Sequence, residues 1–207
     1  MATASDIVEI AKAELGYREK GNNDTKYGLW YGMNNNPWCM MFVSWCAMKA
    51  GVPEDVIPKL AYVPYAVDFF KKRGRYKKRG EYRPKPGDII FFGSSSHVGL
   101  VERVDGNVVT TIEGNTSAIG NNSNGDGVYR RERKLTYYWI MGYGIPEYEE
   151  EEDMKRYQTV EEIPSWGQEV IKKLIAKGVL KGNTNGLDIS EDQLRILVWN
   201  DRAGLYK

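Results

Sequence analysis

Two cysteines and one histidine are the residues in this 207-residue chain that could act as a nucleophile and its base. An apolar run continues from Trp38 to Ala50 and stops at Gly51, the pattern of a buried helix with Cys39 in its first turn. Asn36 is predicted to be the N-cap and Pro37 the first helical residue. Unpaired amides and the helix dipole would favour a thiolate at Cys39. The alternative is a buried thiol that only fills space.

Cys46 is the natural comparison for Cys39. It lies seven residues further along, in the interior of the same predicted helix, where the dipole does not act. Two turns of helix separate the two positions by roughly 10 Å, too far for a disulfide. Cys46 is therefore predicted to be a core residue.

His97 is the only histidine, so an imidazole that activates Cys39 must be this one. It begins a predicted strand, which turns at residues 105–107 and returns through residues 108–113. Such a hairpin can bring Glu113, or Asn115, beside His97 to orient its ring. Singly, the histidine could be structural and the acid could lie on the surface. Together, a cysteine, a histidine and an acid in this order indicate a cysteine hydrolase.

Composition excludes several other classes of protein. With 42% hydrophobic and 28% charged residues, the chain is typical of a soluble globular protein. A net charge of +1 gives no argument for nucleic acid or an anionic membrane as a partner, and neither is predicted. No apolar run approaches the roughly 20 residues of a membrane span. One histidine and two separated cysteines form no zinc set, so no metal ligand is predicted.

Cellular location follows from what the sequence does not show. No signal peptide is recognisable, and two cysteines are too few for a disulfide framework. We therefore expect synthesis in the cytoplasm, with another device releasing the protein.

The order of elements predicts an α+β fold. Helices are expected first, starting at Ser5 or Asp6 and ending at Gly16, then at 38–50 and 65–72. Strands follow at 89–92, 97–104, 108–113, 128–133 and 137–144. Helices first and antiparallel strands second is an α+β arrangement.

Three aromatic residues near the predicted nucleophile are candidates for substrate binding. Tyr27 and Trp30 lie in residues 17–36, which are predicted to be a loop, and Trp38 precedes Cys39. Binding residues often occupy loops held by a scaffold. The alternative for the loop aromatics, Tyr27, Trp30 and Tyr31, is that they pack over the helix that follows.

Charge is unevenly placed along the chain. Residues 71–85 hold nine lysines and arginines against Glu81 alone. This segment is predicted to be a solvated surface loop, the alternative being contact with an anionic polymer. Residues 147–153 hold six acidic residues and no basic one, and 147–158 are predicted to be a linker.

Residues 159–207 are predicted to form a small helical module. One helix would start at Ser165 and stop at Gly178, and Ser190 with Gln193 forms a capping box for a second. So small a unit is marginal by itself.

Four motifs extend this interpretation: PWCMMFVSWC, KPGDIIFF, SSHVGLVERV and TTIEGN. In them the segment from residue 4 to residue 146 resembles the CHAP family of papain-like cysteine hydrolases, with helices packed on an antiparallel sheet. The resemblance implies cleavage of an amide bond in bacterial peptidoglycan, as an N-acetylmuramoyl-L-alanine amidase or an endopeptidase. It implies Cys39 as nucleophile, His97 as base, Glu113 as the orienting group and Asn115 as a supporting residue.

Two departures from the family are visible. Some CHAP relatives bind calcium through an acidic loop before the cysteine, but residues 21–36 carry only Asp24. No cofactor is therefore predicted, and calcium is left open. Papain-like enzymes often place a glutamine before the nucleophile to complete the oxyanion hole. This chain has none there, which leaves Asn34, Asn35 or Asn36 to substitute.

The expected organisation is a catalytic domain at residues 1–146, the linker and the module. The module is similar to helical repeats of phage lysins and to surface-layer-homology modules, which implies binding to a wall polymer or self-association. The leading hypothesis is an endolysin that acts on the cell wall. Alternatives are an inactive wall-binding protein on a CHAP scaffold, and a cysteine peptidase or amidase with a non-wall substrate.

Overall fold

The computed structural model describes residues 2–117, 125–149, 156–182 and 186–206, which divide into two compact units, Met1–Glu150 and Glu151–Lys207. The described helices of the first unit are α1 (Ala4–Ala13), α2 (Lys26–Tyr31), α3 (Cys39–Ala50) and α4 (Val63–Lys72). Its described strands are β1 (Tyr76–Lys78), β2 (Ile89–Phe92), β3 (His97–Asp105), β4 (Val108–Thr116), β5 (Gly127–Lys134) and β6 (Ile140–Gly144). No helix in the described ranges is long and apolar enough to cross a membrane.

The first helix begins and ends earlier than its pattern predicts. Its N-cap is Thr3, because Thr3 and Asp6 form a reciprocal capping box. Asp6 is the third residue of the helix and supplies the acidic side chain of that box, so the prediction of Ser5 or Asp6 as the cap is wrong. The helix ends at Ala13, and Gly16 lies beyond it with φ +87°.

The α3 helix is the central element of the first unit. Residues 39–44, 46 and 47 are buried, and the helix packs against α1, α2, β3 and β4. It ends as predicted at Gly51, whose φ of +75° is left-handed. The predicted N-cap is wrong, however. Asn36 donates to the Asn34 carbonyl at 3.0 Å, and Trp38 is the N-cap, so Cys39 is the first residue of the helix.

A six-stranded antiparallel sheet in the order β1-β6-β2-β3-β4-β5 forms the other layer, which confirms the α+β class. The β3–β4 hairpin has the predicted turn, and its register places Leu100 opposite Ile112. Two segments predicted to be loops contain regular structure. Residues 17–36 include α2, and residues 71–85 include the end of α4 and the edge strand β1.

The second unit contains β7 (Arg156–Tyr157), α5 (Ser165–Ala176), β8 (Ile189–Ser190) and α6 (Glu191–Arg202). The capping box of Ser190 and Gln193 is present as predicted, whereas α5 has Pro164 at its N-cap position. Strands β7 and β8 pair with each other. Ile171, Leu174 and Leu194 lie in the core of the second unit.

The predicted linker, residues 147–158, is described by the structure at its two ends. The Tyr148 hydroxyl donates to the Gly87 carbonyl at 2.6 Å, which fixes this end of the segment to the first unit. Arg156 and Tyr157 form a strand of the second unit. Residues 150–155 lie outside the described residues.

Candidate active site

Cys39 lies in the wall of a groove of about 560 Å³ in the first unit. As the first residue of α3, it lies where backbone amides have no partner within the helix. Its exposed fraction is only 4%, since the rest of α3 is buried in the core. The groove is also lined by Met33, Asn36, Pro37, Met41, Ala61, Tyr62, Val63, Pro64 and Ser94–Ser96.

His97 is buried at the first position of β3 and bonds directly to Glu113. Its Nε2 atom lies 3.0 Å from Oε2 of Glu113. Nδ1 has no hydrogen-bond partner within the described residues. The ring stacks on Phe92, its partner across β2 and β3, with centroids 5.8 Å apart, and on Trp139 at 6.1 Å. These contacts fix the ring, with Nε2 occupied and Nδ1 available for a thiol.

Glu113 reaches His97 across the β3–β4 hairpin, as the sequence predicts. A Cβ at Gly99 would lie 2.6 Å from Cγ of Glu113, so the glycine leaves room for this side chain. Glu113 is fully buried and also bonds to two residues absent from the predicted site. The Thr111 hydroxyl donates to Oε1 at 2.5 Å, and the Arg133 guanidinium donates to both oxygens, to Oε2 at 3.1 Å.

The pKa values of His97 and Glu113 are shifted in opposite directions by the charged groups around them. Burial by itself lowers the pKa of His97, but Cys39 and Glu113 outweigh it and raise that pKa to about 9. Burial likewise favours a neutral Glu113, but His97 and Arg133 lower its pKa well below the usual range. The site therefore favours an imidazolium beside an ionised carboxylate.

Asn115 supports the helix that carries Cys39. It is buried at the end of β4 in a left-handed conformation, with φ +54°. In the amide orientation that satisfies both ends, it accepts from the Trp38 amide at 3.1 Å and donates to the Gly125 carbonyl at 2.8 Å. The first of these bonds connects the end of β4 to Trp38, the N-cap residue of α3.

The prediction of Tyr27 and Trp38 as substrate-binding residues is wrong, because both side chains are fully buried. Their rings stack with centroids 5.1 Å apart, and Trp38 Nε1 donates to Glu19 at 3.1 Å. Trp30 is half-buried and lies beside Lys59 in another cavity, of about 150 Å³, which Cys39 does not line. The alternative of packing over α3 therefore holds for Tyr27, whose ring also contacts Phe42 and Trp45 of that helix.

Exposed residues of the groove were missed by sequence reasoning. Tyr62 is 58% exposed and Met33 46% exposed, and both line the groove with Cys39. Tyr62 precedes α4, a position where the sequence shows an aromatic residue but not its distance from Cys39. Ser94–Ser96, which lie between the predicted strands at 89–92 and 97–104, form another part of the wall.

Of the three candidate asparagines for the oxyanion hole, Asn36 lines the groove. The Asn34 side chain bonds to the Thr25 amide at 3.0 Å and to Asp24 at 2.7 Å, and the Asn35 side chain donates to the Asn22 carbonyl at 3.0 Å. These bonds hold Asn34 and Asn35 to the loop behind the groove.

The loop before Cys39 offers few carboxylate ligands. Asp24, its one carboxylate, is bonded to an asparagine amide. No group of three histidine, cysteine or acidic side chains suited to a metal occurs in the described part of the chain.

Cys46 contrasts with Cys39 as the sequence predicts. It is fully buried within α3, and burial raises the pKa of its thiol. Both cysteines are free thiols.

Comparison with known proteins finds one matching family. Residues 30–115 match the family model of the CHAP domain. The crystal structures of Ly7917 and of Ly7917 with the hydrolyzing product of MDP are each 18% identical, with TM-scores of 0.44 and 0.45. Each match covers 70% of this chain and only 62% or 63% of the Ly7917 chain.

A wild type endolysin, LysIME-EF1, is similar over a longer span. It is 13% identical with a TM-score of 0.42, and the match covers 95% of this chain and 96% of that chain. No curated protein matches the sequence.

Proposed function

We propose that this chain, which carries a CHAP domain at residues 30–115, is an endolysin-type peptidoglycan hydrolase with a cysteine nucleophile. The observation that supports it most is the arrangement of Cys39, His97 and Glu113. A buried helix begins with the thiol, and the only imidazole in the chain is bonded through Nε2 to an ionised carboxylate. The proposal includes action on the wall after release from the cytoplasm.

Acylation would begin with the thiolate of Cys39 attacking the carbonyl carbon of a wall amide. The proton from the thiol resides on Nδ1 of His97, the nitrogen that Glu113 does not engage. The imidazolium gives this proton to the leaving amine as the carbon–nitrogen bond breaks, which leaves a thioester on Cys39. Water, deprotonated by His97, then attacks the thioester and releases a carboxylate and the free thiol.

Oxyanion stabilisation would come from two donors at the N-terminus of α3. The Cys39 amide is the first, because the amides of a first helical turn have no partner within the helix. The Asn36 side chain is the proposed second donor, since of the three candidate asparagines it lines the groove. Its amide donates to the Asn34 carbonyl at 3.0 Å in this structure, so in this proposal the side chain turns towards the oxyanion when substrate binds.

Substrate contacts in this proposal are made by the exposed side chains of the groove rather than by Tyr27 and Trp38. Tyr62 presents a ring that can pack against a sugar or a peptide, and Met33 adds a flexible apolar contact. The serines at residues 94–96 offer hydroxyls to the substrate backbone.

The second unit is proposed to bind a wall polymer or to self-associate. Trp166 and Trp199 are 43% and 64% exposed and line a groove of about 330 Å³ with Arg195 and Arg202. Exposed indoles beside arginines are suited to sugars that carry negative charge.

Digestion of purified cell walls tests the proposal. The full chain should lower the turbidity of a wall suspension, and mass spectrometry of the products should show new amine ends. A free L-alanine amine identifies the amidase, and an amine within the stem or bridge peptide identifies the endopeptidase. Wall binding without new amine ends would contradict the proposal and favour the inactive wall-binding alternative.

A further inference from the structure

The carboxylate of Glu113 has more hydrogen-bond donors than the orientation of one imidazole requires. Its Oε2 atom accepts hydrogen bonds from Nε2 of His97 at 3.0 Å and from Nη2 of Arg133 at 3.1 Å. Its Oε1 atom accepts hydrogen bonds from the Thr111 hydroxyl at 2.5 Å and from Nη1 of Arg133. Both oxygens are therefore engaged from two sides, and the plane of the carboxylate is fixed.

Arg133 is itself fixed inside the protein. Its side chain is only 7% exposed, and Nη1 also donates to Thr111 at 3.2 Å. The guanidinium carbon lies 4.6 Å from the centroid of Phe92, the same ring on which His97 stacks. Arg133 thus contacts both the partner of the imidazole and the ring against which the imidazole rests.

Stability alone is a weak reason for such an arrangement. A buried arginine–carboxylate pair must offset the loss of two hydration shells, and apolar residues of similar size often stabilise a core as well or better. A second arginine on β5 shows the contrast. Arg130 bonds to both oxygens of Glu102 at 2.6 and 2.8 Å, but its side chain is 43% exposed and the pair has no bond to His97.

We propose that Arg133 is a positioning residue of the hydrolase. By clamping both oxygens of Glu113, it keeps Oε2 aimed at Nε2 of His97 and so leaves Nδ1 as the nitrogen that serves the Cys39 thiol. Arg133 touches neither the thiol nor the substrate in this account and acts through Glu113. The catalytic part rests on the proposed function, whereas the effect on the imidazole does not.

The single histidine of the chain allows a direct test by nitrogen NMR. In the full-length Cys39→Ala protein, the neutral imidazole should carry its proton on Nε2 alone. Adding Arg133→Met removes the clamp, so the two ring nitrogens should shift towards a mixture of tautomers. Adding Arg130→Met instead removes the Arg130–Glu102 pair and should leave the chemical shifts of the ring nitrogens unchanged.

Wall-hydrolysis kinetics supply the second readout, with Cys39 present. Arg133→Met should lower kcat about 10- to 100-fold while KM stays within about twofold. The acidic limb of the pH–rate profile of this variant should move up by about one pH unit, because Glu113 loses a cation that keeps it ionised. Arg130→Met should change neither quantity. If Arg133 acts through Glu113, Arg133→Met should have little further effect on kcat in a Glu113→Gln protein.

The outcomes separate this inference from the proposed function. No wall hydrolysis by the native chain sinks the proposed function, and the NMR comparison still decides the clamp. A single Nε2–H tautomer in Arg133→Met would overturn the inference, as would equal losses of kcat in the Arg133 and Arg130 variants. If Arg133→Met does not fold, Arg133→Lys replaces it. The lysine retains the charge but not the two-pronged bond, so mixed tautomers and a lower kcat are expected, and native behaviour would contradict the clamp.

Discussion

At the scale of residues, the balance of burial and charge at His97 decides which form of the site is active. A fully buried imidazole would ordinarily be neutral near pH 7. Here Cys39 on one side and Glu113 on the other outweigh burial and raise the pKa of His97 to about 9. The imidazolium therefore persists over the neutral range, and this is the form that the proposed mechanism requires to protonate a leaving amine.

The pH dependence of hydrolysis should reflect this shift. A raised pKa means that the charged form is present below about pH 9 and is lost as the pH rises through that value. We expect kcat/KM to fall on the alkaline side near pH 9, measured on wall fragments between pH 5 and 10. An alkaline limb near pH 6.5, the ordinary histidine value, would contradict the ion pair.

The sequence predicts the three residues of the candidate site but not their surroundings. Cys39, His97 and Glu113 follow from a helix start and a hairpin, which are local features. Arg133 lies among Arg130, Arg131 and Glu132, a pattern typical of a solvated strand. It is buried where its guanidinium reaches Glu113 on the neighbouring strand, a contact between residues distant in sequence. Trp38 was misassigned because exposure depends on tertiary packing.

At the scale of elements, the start of α3 is held against the end of β4. Asn115 accepts from the Trp38 amide, just before Cys39. The preceding Gly114 lets the helix approach, since a Cβ there would lie 2.6 Å from Phe42 and 2.7 Å from Trp38. The thiol is thus placed by contacts that also fix the strand bearing Glu113.

Replacing Asn115 should loosen this contact. Asn115→Ala leaves the buried Trp38 amide unpaired and puts alanine at φ +54°, so we expect a loss of about 2–4 kcal/mol in the free energy of unfolding and a lower kcat. Urea denaturation measures the first effect. Asn35→Ala is the matched control, because Asn35 also has a positive φ, +59°, but is exposed. Equal losses in the two variants would show that backbone strain alone is responsible.

Gly114→Ala tests the close approach of helix and strand. The added methyl group must displace Phe42 or Trp38, so we expect a loss of about 1–3 kcal/mol in unfolding free energy and a lower kcat. At Gly106, φ is +53° and a Cβ would meet nothing within 4 Å, so Gly106→Ala adds only backbone strain. Native kcat and stability in Gly114→Ala would show that the helix start tolerates movement.

At the scale of the whole molecule, each unit has its own core. The first is built around α3 and the sheet, and the second around β7, β8 and the two C-terminal helices. The order of elements was predictable because helical and strand patterns alternate differently along the chain. The ends of the linker were not, because Tyr148 and Tyr157 are anchored by contacts distant in sequence.

Separating the units should separate hydrolysis from binding. A fragment of residues 1–149 contains the whole candidate site, so it should fold and hydrolyse soluble wall fragments with kcat near that of the full chain. Under the proposed role of the second unit, this fragment should sediment less with insoluble walls. Undiminished sedimentation of the fragment would contradict a wall-binding role for residues 156–206.

The central claim is that Cys39 is the nucleophile, and the two cysteines of α3 offer a matched comparison. New amine ends released from purified walls would be counted for the native chain, Cys39→Ala and Cys46→Ala. We expect Cys39→Ala to lose activity by on the order of 10³-fold or more while remaining folded, because no other nucleophile replaces the thiol. Cys46→Ala should lose about 1 kcal/mol of stability and retain its activity. Hydrolysis by Cys39→Ala at the native rate would contradict the account.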